Sequence, residues 1–167
     1  MHKTQVQKQS LLNVVLIDSA ILFLACMVPA MSHLSALPLY QFNPMLWMML
    51  LSMLLVRDHR NAFVMAAMLP FVSCLVSGMP SPDKAICMVA ELEVVALLVA
   101  YVASRKSGWT LFGLTVAAVV AGKCVYYAVK ALIISSVSLV GTPVAIQLLA
   151  AVAASALFAF FMSRRAS

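Results

Sequence analysis

Residues 109–134 read WTLFGLTVAAVVAGKCVYYAVKALII, a run whose only charges are Lys123 and Lys130. A helix rises about 1.5 Å per residue, so about 20 apolar residues cross the roughly 30 Å hydrocarbon layer of a bilayer. This run is long enough to do so, and a soluble helix would carry a charged face that is missing here. It predicts a transmembrane helix, and the rest of the chain is read outward from it.

Five more segments fit the same description. They lie near 11–32, 37–56, 61–78, 85–103 and 143–162. The second is apolar only over 43–56, and Pro38 and Pro44 make its entry irregular, since proline lacks the amide that a helix interior needs. The whole chain is 65% hydrophobic and 10% charged, with a mean hydropathy of +1.06. A soluble domain is about half apolar and about a quarter charged. The excess apolar surface needs lipid. The expected fold class is therefore all-α: a polytopic membrane protein, one compact bundle of six transmembrane helices spanning residues 1–167.

Charge gives the orientation. Lys3 and Lys8 precede the first segment, Arg57 and Arg60 follow the second, Arg105 and Lys106 follow the fourth, and Arg164 and Arg165 follow the sixth. The opposite connections hold only Lys84, next to Asp83. Basic residues concentrate on the cytoplasmic side, so both termini are expected inside, in a bacterial-type cytoplasmic membrane. The net charge of +6 is spread over helix ends instead of forming a continuous basic stripe, which argues against nucleic acid. Phe23-Leu24-Ala25-Cys26 weakly resembles a lipoprotein cleavage site, but its bulky residues and Asp18 favour a retained helix.

Several chemistries have no carrier in the residues. Gly122-Lys123 is followed by Cys124 within a helix, so no glycine-rich loop cradles a phosphate. Cys26, Cys74, Cys87 and Cys124 form no CxxC pair, and no histidine pair has metal-ligand spacing. No enzyme activity, metal or cofactor is expected.

What the sequence does offer is ionisable groups within apolar runs, where each is costly and needs a partner or a wet cavity. They are Asp18, Glu91, Glu93, Lys123 and Lys130. Counting from an outer face near Ala85 and Ile134, Glu91 lies roughly 9 Å deep, Lys130 roughly 6 Å and Lys123 about 16 Å. Lys123, Tyr126 or Tyr127, and Lys130 share one helix face, and Lys84, Met88, Glu91 and Val95 share another. Two facing stripes of this kind describe a pocket opening outward, suited to an anionic or hydrogen-bonding organic ligand. The plainer reading is that Glu91 or Glu93 only neutralises Lys123. Glu93 points about 200° away from Glu91, so Glu91 is the favoured site residue. His33, Asn43 and Gln147 are candidate hydrogen-bonding members, and the 79–84 loop, with Met79, is a candidate lid. Asp18 is read as a partner for a cytoplasmic-side cation or as a helix contact, in preference to a ligand contact.

The segment SGMPSPDKAICMVAELEVVALLVAYV (77–102) resembles a region of the S components of energy-coupling factor (ECF) transporters: a Gly-x-Pro followed by a glutamate-bearing helix, here Gly78, Pro80 and Glu91. HLSALPLYQFNPM (33–45) is similar to the outer end of the first two helices of short S components, and Gly122-Lys123 to a glycine followed by a basic residue in the fifth. The resemblance implies a substrate-binding subunit that captures a vitamin or related micronutrient near the outer face. It further implies two partners, a membrane coupling subunit and a pair of cytoplasmic ATPases. Departures are visible. Ala96 and Ala100 stand where glycines are common. Ala20, Ala25 and Ala30 do not make the family's Ala-x-x-x-Ala docking motif, and the turn VRDHRN (56–61) lacks the usual glycine. Read from the residues alone, two alternatives stay open: a stand-alone proton-coupled carrier in which Glu91 titrates, and a non-transporting scaffold.

Overall fold

The computed structural model describes residues 11–35, 39–56, 60–105, 108–133 and 143–166. The described residues form six α-helices: α1 Leu11–Ser35, α2 Pro44–Leu55, α3 Arg60–Ser77, α4 Pro82–Ala103, α5 Gly108–Ile133 and α6 Val144–Ala166. A 3-10 turn, Leu39–Phe42, precedes α2, and no strand occurs among the described residues. The all-α expectation holds. Five helices, all but α2, are long and apolar enough to cross a membrane.

The second segment departs from expectation. Against an expected helix over 37–56, of which 37 and 38 lie outside the described residues, α2 has only 12 residues. At 1.5 Å per residue it covers about 18 Å, little more than half of a roughly 30 Å hydrocarbon layer. The cause is local. Pro44 occupies the first helical turn, where a missing amide costs nothing, and Asn43 ahead of it adopts a left-handed conformation with φ 51° and ψ 61°. The chain therefore cannot run as one helix through Asn43.

This short helix is the hub of the bundle. It packs against α1, α3, α4 and α6. Met45, Leu46, Met49, Leu50 and Met53 are buried along it, so both sides of the helix meet protein. The long helices surround it, with α3 beside α4, α4 beside α5 and α5 beside α6. The core they enclose includes Met65, Leu69, Leu92, Val95, Val99, Val119 and Phe158, all buried. Outward faces stay apolar, as in Leu75, Trp109 and Leu132. Solvent of low polarity must cover such surfaces, consistent with a bilayer.

Pro29 lies within α1 and Pro70 within α3. Neighbouring helices and nearby side chains accommodate such prolines in membrane helices. α3 stops at Gly78, whose φ of 69° ends the helix as its amide donates to the Cys74 carbonyl at 3.0 Å. α4 then begins at Pro82, three residues earlier than expected.

Candidate functional site

α4 and α5 run antiparallel and approach each other closely at Gly122. A Cβ there would lie 2.5 Å from Val95 Cγ2 and 3.0 Å from the Glu91 carbonyl oxygen. Only glycine lets the two backbones come this near, and the approach decides which side chains meet. Lys123, the next residue, reaches across to Glu91, with Nζ 2.8 Å from Oε1. The same carboxylate oxygen accepts from Asn43 Nδ2 at 2.9 Å. Three elements thus converge on one oxygen: the middle of α4, the middle of α5 and the entrance to α2.

The position of this junction follows from the helices. Glu91 is nine residues beyond Pro82, or about 13 Å along α4. Lys123 is ten residues short of Ile133, or about 15 Å along α5 from the same end. The entrance to α2 lies at that level too, so the short helix fills the bundle axis only from mid-depth toward the opposite end. Its apolar side meets α1 in a groove of about 250 Å³ lined by Val28, Phe42, Pro44, Trp47 and Met48. Trp47 is anchored there by donating from Nε1 to the Phe42 carbonyl at 3.0 Å.

Burial and charge define what the junction can do. Glu91 is 1% exposed while the Lys123 side chain is 22% exposed. The ammonium is thus the accessible member of the pair. It also lies 5.2 Å from the ring centre of Tyr126, within cation–π range. Tyr126 packs edge-to-face on Tyr127 at 5.3 Å. Gln147 of α6 donates from Nε2 to the Tyr127 hydroxyl at 2.9 Å, which ties α5 to α6 about one turn nearer the Pro82 end. Lys130 is buried and engaged about 10 Å beyond Lys123 along α5.

The sequence candidates therefore divide. Glu91, Lys123 and Asn43 meet directly, and Tyr127 pairs with Gln147 beside them. Lys130 sits nearer the helix end. The side chain of His33 lies outside the described residues. Met79 is exposed in the α3–α4 turn. Its carbonyl accepts from Ser73 Oγ at 2.7 Å and from Ser77 Oγ at 3.0 Å. The expected lid over 79–84 is corrected on this point: residues from Pro82 onward are already helix, and the remaining turn is latched to α3 by two serines. Glu91 also lies deeper than the expected 9 Å, because α4 starts earlier.

A second polar cluster, unanticipated as a unit, closes the other end of α2. Ser52 Oγ donates to Asp18 Oδ1 at 3.0 Å, and Asn61 Nδ2 donates to the same oxygen at 2.9 Å and to Ser52 Oγ at 2.8 Å. Asp18 thus makes helix contacts to α2 and α3, one of the two structural roles expected for it. Ser52 is the only hydroxyl in the apolar run 44–55, a signal that pointed to such a partner. Among the described residues no group of three or more metal-ligating side chains occurs. Comparison with protein-family models, curated proteins and solved structures finds no match to this chain.

Proposed function

We propose that this chain is the substrate-binding membrane subunit of an energy-coupling factor importer, capturing a small organic micronutrient such as a vitamin or its precursor at the outer face. In this reading the chain crosses the cytoplasmic membrane six times with both termini inside. α1 runs outward, and the Leu39–Phe42 turn leads into α2. α2 then completes the return as a half-length helix. The observation that carries the proposal is the Asn43–Glu91–Lys123 junction beneath the α3–α4 end, with the Tyr127–Gln147 pair beside it. Half-helices that begin inside the bilayer bring polar main-chain ends to mid-depth, and transporters use such ends to hold ligands.

The chemistry follows from the groups present. Lys123 offers a cation to an anionic or strongly accepting ligand, Asn43 and Gln147 offer amide donors and acceptors, and Tyr126 and Tyr127 offer ring faces. Glu91 keeps the ammonium paired while the site is empty. The ammonium has three N–H donors, so a ligand oxygen can be taken up at Nζ while the bond to Glu91 is kept, and no buried charge is left uncompensated. Release inward and the energy for it belong to the coupling subunit and the ATPase pair that the resemblance implies.

Mass spectrometry of small molecules copurifying with the protein tests the reading most directly. A stoichiometric polar micronutrient, lost in Lys123→Ala, is the expected result. Because that change strands Glu91, the paired variant Glu91→Gln/Lys123→Gln serves as the folded control and is expected to lose the molecule as well. A preparation without any bound molecule, showing no affinity for a panel of vitamins, refutes the proposal.

One observation favours a second reading, a non-transporting scaffold. The Glu91 Oε1 is saturated by two partners and sealed from solvent, which is also how a purely structural clasp is built. A Glu91→Lys/Lys123→Glu swap separates the two. Full function after the exchange assigns the pair to structure, and loss of binding with a stable bundle assigns it to the ligand.

A further inference from the structure

Glu93 sits two residues from Glu91 but on the opposite side of α4. Eleven residues separate it from Pro82 and ten from Ala103, which places it about 16 Å from one end and about 15 Å from the other. It is at the centre of the span, too deep for its short side chain to reach either interface as long cationic side chains near helix ends do. Its helix face carries Ile86, Ala90, Leu97, Ala100 and Tyr101 at three- and four-residue steps. Leu97 is 57% exposed and Tyr101 58% exposed, so this face points out of the bundle. Glu93 itself is partly exposed. Among the described residues it makes no hydrogen bond and no ion pair, and no charged group acts on it.

Such a group has no stable place against hydrocarbon. An acidic residue at the centre of a spanning helix strongly disfavours insertion, and intramembrane carboxylates face a partner or a wet cavity. Among the described residues the chain supplies no such partner, and the same residues of a second copy supply none either. Every basic residue other than Lys123 and Lys130 lies at or beyond a helix end. Lys123 is committed to Glu91 inside the bundle, and Lys130 is buried near the end of α5.

We propose that the Glu93 face of α4 is a docking surface for a transmembrane helix of another membrane protein, one that carries an arginine or lysine at mid-bilayer. Charge complementarity selects the occupant. Ala90 and Ala100 bracket the carboxylate and let a partner backbone approach, and Leu97 and Tyr101 supply the packing that membrane helix pairs rely on. The inference stands on Glu93 alone and is independent of what occupies the Glu91 side.

The test uses the full chain, donor-labelled in phosphatidylcholine vesicles, with acceptor-labelled oligoleucine transmembrane peptides as probes. One peptide carries a single central arginine, one carries it at the terminus, and one has none. Energy transfer to the central-arginine peptide is expected to show about 3- to 30-fold stronger association with the wild type than with Glu93→Gln, the range a buried polar contact in lipid provides. The other two peptides are expected to show no difference. Glu93→Gln is nearly isosteric on an outward face, and Leu97→Trp, which keeps the carboxylate but adds bulk, is expected to weaken the same association. Equal association of wild type and Glu93→Gln with the central-arginine peptide overturns the proposal. So does Glu93-dependent self-association of the labelled chain without peptide, which assigns the face to a second copy.

Discussion

Replacing Gly122 by alanine tests the packing that creates the Glu91–Lys123 pair. The added Cβ falls 2.5 Å from Val95 Cγ2, 3.0 Å from the Glu91 carbonyl oxygen and 3.5 Å from Glu91 Cγ. Val95 is fully buried, so its methyl has little room to turn away. The carbonyl belongs to the α4 backbone and moves only if the helix moves. Restoring ordinary contact distances requires α4 and α5 to separate by about 1 Å locally, and overpacking of this kind costs about 1–3 kcal/mol. The better helix propensity of alanine returns up to about 1 kcal/mol, so a net loss of about 1–2 kcal/mol is expected. Denaturation by sodium dodecyl sulfate in mixed micelles measures it. Val95→Ala removes the first clashing atom, so the double variant is expected to recover part of the loss, giving a favourable coupling of about 1 kcal/mol in a double-mutant cycle. A Gly122→Ala protein as stable as wild type, or a cycle with no coupling to Val95, refutes the claim that this glycine sets the α4–α5 distance.

Lys123→Met is expected to destabilise by about 3 kcal/mol in the same titration, because it leaves Glu91 buried without its cation, and adding Glu91→Leu is expected to restore most of that. Asn43→Ala removes one donor to Glu91 and is expected to cost about 1–2 kcal/mol, whereas an exposed control such as Leu75→Ala is expected to change stability little. At the other end of α2, Ser52→Ala is expected to cost about 1 kcal/mol, and combining it with Asp18→Asn is expected to be less than additive, since both changes break one network. Hydrogen exchange of the Met45–Met49 amides, measured in detergent, is expected to rise in Asn43→Ala and to stay unchanged in Ser52→Ala.

The apolar, all-helical character and, among the described residues, the five helices long enough to span a membrane followed from the residues alone. Transfer into lipid depends on how many apolar side chains occur in a row, and that is a local property of the chain. The ionisable residues inside those runs were equally visible, since each is anomalous wherever the helices pack. The sharing of a face by Lys123 and Tyr127 followed from helical periodicity. What the tertiary structure alone decided was which groups meet. Asn43 and Glu91 are far apart in sequence, and only the truncation of α2 brings an amide from its entrance to the carboxylate. Pro38 and Pro44 announced an irregular start but not its depth, because the level at which a half-helix begins is fixed by what it packs against. Gly122 looked like one more small residue until α4 was found against it. The two glutamates of α4 were separable by phase, but the inward one proved saturated and the outward one without a partner among the described residues, for a reason no linear reading contains: the neighbours of α4 cover one of its sides and leave the other open.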